Sequence, residues 1–474
     1  MIIWEIAYIV LLVVYFYTIL TTILFLLMEN RNPVKSIAWI FVLLFVPVVG
    51  FLFYLLVGKK FRKKRIISKR SFHLLKNYEV VTSRDLSNLS LTDNQLAVAK
   101  VAASNADSPL FENNAISVYT DANALYESIF QDIKNAKHHI NLEYYIFIPD
   151  DLGTRMMEAL KEKAREGVKV RVIIDDVGSW RFKKRHMEEL RAEGIEVESF
   201  LEVRLPYISS HVNYRNHRKI LVIDGVIAYT GGINIADRYL EGLSWGKWRD
   251  THARLEGGVV LGLQKTFFED WYFVKQSLVE DSEYYPQPEN KGDVMIQTVI
   301  SGPDMQWESI MQIYVKSFAM AKKRIFIETP YFIPPESLIT ALQIASLSGV
   351  DVRLILPKKS DAKVTLYSSY SFLGQMFKAG IKVYLYQPGF IHSKMTIVDD
   401  DISFIGSANM DFRSFEQNFE LNTIVYNQNT TTNLISVFEE DLRNSVKIDE
   451  KEWMERPSRR KIKESLARLF SPLL

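Results

Sequence analysis

Residues 216–225 read NHRKILVIDG and run on into TGGIN at 230–234; residues 391–400 read IHSKMTIVDD and run on into IGSAN at 405–409. Both follow one pattern, His-x-Lys-x4-Asp-x6-Gly-(Gly/Ser)-x-Asn, in a chain with only eight histidines. One copy holds His217, Lys219, Asp224 and Asn234, the other His392, Lys394, Asp399 and Asn409. Residues two apart on a strand share a face, so each copy presents an imidazole beside an ammonium. The aspartates stand at an odd offset and face away; with Gly225 next to it, Asp224 reads as a turn former, and both are expected to be structural members of the motif. The apolar runs VIAYT and ISFI can fold back as hairpins and bring each Asn level with its Lys, the small pair before it allowing close backbone approach.

Working outward, the copies lie in a larger duplication. AKHHINLEYYIF (136–147) matches AKKRIFIETPYF (321–332), GVKVRVII (167–174) matches GVDVRLIL (349–356), and GIEV (194–197) matches GIKV (380–383), all in the same order. The offset stays at about 180 residues, which indicates duplication of a whole domain and not a short repeat. The continuous β-branched runs suit strands buried on both faces, and helical stretches such as TRMMEALKEKAREG separate them. Each half is therefore expected to be an α/β/α sandwich on a mixed sheet, and the two halves to pack about a pseudo-twofold. The first half carries an extra segment near 203–215, a candidate substrate-facing loop.

Such packing would gather two histidines, two lysines and two asparagines. The lysines and amides make a cradle for an anion with several oxygens, of which phosphate is the natural guest. One neutral imidazole can attack phosphorus while the other, protonated, gives its proton to the leaving alkoxide. The path then runs through a phosphohistidine, and the lysines supply the positive charge, so no metal and no cofactor is expected. For a single His a satisfied core histidine would be the better reading; a doubled set at identical offsets argues for chemistry.

Composition narrows the setting. The 474 residues carry a net charge of +2 and no cysteine, which leaves out disulfides, thiolate chemistry and sulfur-based metal sites and gives no polybasic signature of a nucleic-acid binder. Ile6 to Met28 and Ser36 to Gly58 are uncharged apolar runs, each long enough to cross a bilayer, joined by the short polar ENRNPVK. A two-helix transmembrane hairpin over 1–58 is expected. KKFRKKR follows at 59–65 and outweighs Arg31 and Lys35, which puts the bulk of the chain on the cytoplasmic side and can attract anionic headgroups. Residues 59–112 read as a basic juxtamembrane segment and connector with some helix, followed by domains at 113–285 and 286–474. In the last of these, RRKIKESLARLFSPLL puts Ile462, Leu466, Leu469 and Leu473 on one stripe, suited either to a membrane surface or to docking on the domain.

The doubled motif resembles that of the phospholipase D superfamily, and the chain is similar over nearly its full length to bacterial cardiolipin synthases. Arg31, Pro33, Trp39, Pro47, Gly50, Tyr54 and Gly58, with the terminal LARLFSPLL, carry the narrower likeness. The resemblance implies two tandem phospholipase D-like domains and a metal-free phosphohistidine route. It implies His217 as nucleophile, His392 as general acid and base, and Lys219, Lys394, Asn234 and Asn409 on the phosphate. It also implies an acidic residue beyond each motif that bonds a histidine; Asp250 in KWRDTH and Glu420 in QNFEL fit that place. Together His217, Lys219, Asp224, His392, Lys394 and Asp399 form the candidate catalytic set. Glu143 and Glu328 also match across the repeat and read as strand-end residues. The implied reaction is phosphatidyl transfer between two phosphatidylglycerol molecules, giving cardiolipin and glycerol, in a multi-pass protein of the bacterial cell membrane. Hydrolysis of phospholipids and a non-catalytic scaffold for anionic lipid are the alternatives.

Overall fold

The computed structural model describes residues 2–28, 33–46, 50–51, 54, 86, 89–203, 213–279 and 281–471. The segment at 59–65, most of 203–215 and Leu473 lie outside them. The chain divides into two compact units, one of residues 1–64 with 203–213 and one of 65–202 with 214–474.

In the first unit, a helix spans Ile2–Met28, and its stretch Trp4–Met28 has a mean hydropathy of 2.6, long and apolar enough to cross a membrane. Leu11, Val13, Phe16 and Tyr17 are each more than half exposed, the outward display that suits lipid and not water. A second helix spans Pro33–Phe45, with proline in its first turn, where no N–H is needed. Leu26, Leu43 and Tyr54 are buried together, and Trp39 packs edge-on to Tyr54 at 5.3 Å. Within the expected second span over 36–58, Pro33–Phe45 is a helix and Gly50 and Phe51 are again helical, the rest lying largely outside the described residues. Among the described residues one helix is long enough to span.

In the second unit the first half supplies strands β1 (Leu110–Tyr119), β2 (His139–Tyr144), β3 (Lys169–Asp175), β4 (Glu196–Phe200), β5 (Lys219–Ile223), β6 (Ile227–Gly231), β7 (Lys247–Arg249) and β8 (His252–Glu256). The second half supplies β9 (Val294–Ser301), β10 (Arg324–Glu328), β11 (Phe332–Ile333), β12 (Asp351–Pro357), β13 (Lys382–Tyr386), β14 (Gly389–Ile391), β15 (Met395–Val398), β16 (Ile402–Gly406), β17 (Met410–Asp411), β18 (Glu420–Tyr426) and β19 (Ser445–Lys447). Fifteen strands form one sheet in the order β19-β13-β12-β10-β15-β16-β18-β9-β1-β8-β6-β5-β2-β3-β4. From the central β1–β9 pair the order runs outward through β8, β6, β5, β2, β3 and β4 on one side, and through β18, β16, β15, β10, β12 and β13 on the other. The matched blocks of the repeat therefore occupy matched places in the sheet.

Alternation along the strands explains why these runs are apolar throughout. On β5, Leu221 and Ile223 enter a core under the helices Ala122–Asn135 and Asp151–Arg165, while Ile220 and Val222 enter a core on the opposite face. That second core joins both halves: Val222 and Ala228 share it with Ile397, Ile405, Leu434 and Phe438. The connector expected up to residue 112 is, from Asp93 to Ala106, a helix started by a Thr92–Gln95 capping box. It buries Val98, Ala99 and Ala102 in the core of the second half and donates from the Gln95 amide to the Asp401 carbonyl at 3.0 Å. Full burial of Val98 alone is worth roughly 1.5 kcal/mol, so this segment is a core element that precedes one half in sequence and serves the other.

The last helix, Ser458–Leu469, docks on the domain and leaves an apolar stripe exposed. Ala467 and Glu464 are buried, Glu464 accepts from Arg456 and Arg460, and the Arg468 guanidinium lies 4.2 Å from the Phe372 ring centre. Ile462, Leu466 and Leu469 remain 59%, 55% and 75% exposed.

Candidate active site

Two backbone crossings between the halves build the site. Strands β7 and β14 pair in parallel with Arg249 opposite Ile391, and the His392 N–H donates to the Arg249 carbonyl at 2.6 Å. This sets His392 beside the next residue, Asp250. The arrangement recurs on the other side: Asn216 bridges Phe419, the His217 N–H donates to the Phe419 carbonyl at 2.9 Å, and His217 stands beside Glu420. His392 Nδ1 lies 2.6 Å from Asp250 Oδ2, and His217 Nδ1 lies 3.0 Å from both carboxylate oxygens of Glu420. Each half thus supplies the carboxylate for the histidine of the other half. A carboxylate on Nδ1 fixes the tautomer and leaves Nε2 for chemistry.

The motif histidines do not lie within strands as the pattern predicts. His217 precedes β5, and His392 and Lys394 precede β15, because their backbone is paired across the halves instead of in the main sheet. The lysines still attend their own histidines. Lys219 Nζ donates to the His217 carbonyl at 2.6 Å, and Lys394 Nζ donates to the His392 carbonyl at 2.5 Å and stands 3.1 Å from His392 Nε2.

Burial dominates the electrostatics. It lowers both His217 and His392 to about 4, against the opposing pull of Glu420 on the first and Asp250 on the second. It also lowers Lys219 to about 7 and Lys394 to about 8, where Glu420 and Asp250 again pull the other way. Burial would raise Glu420, but His217, Lys219 and the Ser407 hydroxyl outweigh it and hold the carboxyl down at about 2. Asp250 is held below its usual range by Lys394 and His392. Each ammonium is sensed across the halves: Lys394 acts on His217 and Lys219, and Lys219 acts on Glu420. The site holds cations in a buried place, and such a place favours an anion.

The small residues of the motif have a geometric reason. A Cβ on Gly232 would come 1.9 Å from Asp250 Oδ1, so this position has no room for a side chain. Its counterpart Ser407 donates to Glu420 Oε2 at 2.5 Å, and Asn418 donates to Oε1 at 3.1 Å. Asn234 accepts from the Ile146 N–H and donates to the Tyr239 hydroxyl at 2.7 Å, whereas the Asn409 side-chain oxygen is buried without a hydrogen-bond partner.

Asp224 and Asp399 are set apart from this centre. Strand β5 pairs with β2 so that Lys219 faces Tyr144 and Ile223 faces Ile140; Asp224 lies at the far end. Its carboxylate accepts from the backbone N–H groups of Lys137, His138 and His139, and that of Asp399 accepts from Lys322, Lys323 and Arg324. With φ of +54° and +55°, both sit in left-handed turns, and each fastens the start of the neighbouring strand.

Two features escaped the sequence reading. An aromatic wall stands at His392: the Trp248, Phe390, Tyr331 and Tyr239 rings lie 5.0, 5.5, 6.4 and 6.5 Å from the imidazole, while His217 meets Tyr145 at 4.8 Å. Trp248 and Phe390 each stand two residues before a site residue, the spacing that shares a face in extended chain. Glu143 and Glu328 are buried beside arginines that brace the site. Arg218 pairs with Asp270 and donates to the Glu420 carbonyl at 3.3 Å; Arg249 pairs with Asp441 at 2.7 Å and donates to the Asp250 carbonyl. Burial raises Glu143 strongly and Glu328 to about 8.

Residues 129–244 and 314–442 match the family model described as cardiolipin synthase, PLD-like domain, and residues 9–59 match the one described as phospholipase D-nuclease N-terminal. A cardiolipin synthase of Geobacillus kaustophilus (strain HTA426) is 41% identical over 453 residues, covering 94% of this chain and 90% of its own. The chain belongs to the cardiolipin synthase family. The major cardiolipin synthase ClsA of Bacillus subtilis (strain 168) is 40% identical over 484 residues, 99% of this chain and all of that one. Among solved structures, the phosphatidylserine synthase of Haemophilus influenzae Rd KW20 superposes with a TM-score of 0.62 over 81% of this chain and 100% of its own, at 15% identity, which shows a shared fold. Each of the two segments matched to the cardiolipin synthase domain holds one complete His-Lys-Asp-Asn set.

Proposed function

We propose that this chain is a phosphatidyltransferase that joins two phosphatidylglycerol molecules into cardiolipin and glycerol. The observation that carries the reading is the crossed pair of carboxylate–histidine bonds, each on Nδ1 of a histidine that has a buried lysine beside it. His217, neutral as burial favours, attacks the phosphorus of the donor lipid, and Glu420 stabilises the imidazolium that results. His392 protonates the leaving glycerol alkoxide; the arriving phosphate anion, together with Asp250, restores the proton that burial disfavours. In the second half of the cycle His392 takes the proton of the acceptor hydroxyl, the new O–P bond forms, and the bond to His217 breaks. Lys219, Lys394 and the side-chain N–H group of Asn409 donate to the phosphate oxygens; Asn234 shapes the cradle through Tyr239.

The substrates fix the setting. The apolar Ile2–Met28 helix anchors the chain in the cell membrane, with Pro33–Phe45 as the returning arm of a hairpin, the halves related by a pseudo-twofold, and the catalytic part on the cytoplasmic side. The outward stripe of Ile462, Leu466 and Leu469 lies against the lipid surface. The test is to incubate the purified protein in detergent with labelled phosphatidylglycerol and resolve the products. Cardiolipin with an equal amount of glycerol is the expected result. Phosphatidic acid alone would make the protein a hydrolase, and no turnover would leave a lipid-binding scaffold.

A further inference from the structure

The double displacement places both alcohols on one side. An in-line attack by His217 pushes the leaving glycerol out opposite its ring, toward His392, and the acceptor must enter by the same side to meet the same base. In this reaction the acceptor is itself a phospholipid. Its attacking hydroxyl is separated by the three carbons of glycerol from a second phosphodiester, a second negative charge that the cradle between the histidines does not hold.

The His392 side contains a cation that the mechanism leaves unused. Arg238 stands at the same offset from Asn234 as Arg413 does from Asn409. Its guanidinium is 5.4 Å from the ring centres of both Tyr239 and Trp248, and Trp248 in turn lies 5.0 Å from the His392 ring. It is therefore one aromatic layer from the general acid. Arg238 is half-buried and its side chain meets the Tyr239 hydroxyl, but its Nε–H is buried with no hydrogen-bond partner and it makes no ion pair among the described residues. Asp361 is the carboxylate whose field it feels, and that group already accepts from the Tyr331 hydroxyl at 2.6 Å. A second orphan donor points to the same need: the indole Nε1–H of Trp248 is buried without a partner. Buried donors left unpaired are costly, so two of them in one place call for an acceptor-rich ligand.

We infer that Arg238 and the Trp248 indole N–H bind the phosphodiester of the acceptor lipid and so select a phospholipid over a small alcohol or water as the second substrate. The proposal rests on the transferase reading in that it takes the acceptor to enter at His392. The transfer itself is unchanged: the acceptor oxygen bonds to phosphorus, the N–P bond to His217 breaks, and the proton passes to His392.

The experiment supplies phosphatidylglycerol together with tritiated glycerol. The same phosphohistidine then partitions between an acceptor with a phosphate, giving cardiolipin, and one without, giving labelled phosphatidylglycerol. The readout is the ratio of the two products. Arg238→Gln should lower that ratio about tenfold or more, the worth of one charge-assisted hydrogen bond, with Arg238→Lys in between. A ratio within twofold of the parent's overturns the inference. Trp248→Phe keeps the ring and removes only the N–H, so it tests the same subsite should Arg238→Gln fail to fold, and it should also lower the ratio. A parent protein that exchanges glycerol but makes no cardiolipin would defeat the transferase reading and this one with it; a parent that makes cardiolipin while both variants keep its ratio would defeat this one alone.

Discussion

At the His217 end, Glu420 offers both carboxylate oxygens to the ring, and a serine hydroxyl and an asparagine amide brace it. At the His392 end, Asp250 offers one oxygen, and a glycine leaves it the room to do so. The longer acid comes with Ser407 and the shorter with Gly232, each pair within one half, so the Gly/Ser choice in the motif goes with the acid that follows it. The surroundings differ too: one tyrosine meets His217, whereas an aromatic wall and an arginine without an ion pair among the described residues lie toward His392. Equivalent positions thus have unequal surroundings, as the proposed reaction with one nucleophile and one acid–base group would use.

The most severe way to break this comparison is to remove the histidines one at a time. His217→Ala should abolish all turnover, and His392→Ala should cost about 10²–10⁴-fold with a glycerol leaving group. A phosphodiester with a p-nitrophenolate leaving group needs no proton from an acid, and release of the coloured anion should return in the His392 variant alone. Recovery in the His217 variant instead would reverse the two roles. A smaller effect sharpens the Gly/Ser contrast. Gly232→Ser drives a side chain into Asp250 and should cut kcat by about 10–100-fold, the usual scale for losing the group that orients a histidine. Ser407→Gly removes one of several bonds to Glu420 and should cost only about fivefold; equal losses would show that the halves are not braced differently. The smallest effect on activity belongs to the far ends of the motifs. Asp224→Ala and Asp399→Ala each free three backbone N–H groups and should destabilise by about 2 kcal/mol, read as a lower Tm in detergent, with kcat nearly kept. A collapse of kcat at unchanged Tm would return the aspartates to the chemistry.

The doubled motif made the fold legible because each apolar run had a partner at a fixed offset, and matched runs now lie at matched places in the sheet. Asp250 and Glu420 were legible through resemblance alone. Their crossing to the opposite histidine was not, because it depends on two parallel backbone pairings, β7 with β14 and Asn216 with Phe419, that unite residues distant in sequence. The same pairings withdrew the motif histidines from the strands that period-two spacing assigned to them. The helix Asp93–Ala106 read as connector because its burial is against the far half, which local pattern cannot reveal. Trp248 and Phe390 carried a signal in their spacing, but an aromatic residue beside a polar one is also what any core strand shows.

Gene duplication ordinarily leaves a spare that is free to decay. The crossed carboxylates remove that freedom: each copy keeps the other's histidine in working order, so damage to either copy disarms both. The two copies can diverge only in features that the other does not use, such as the aromatic wall on one side.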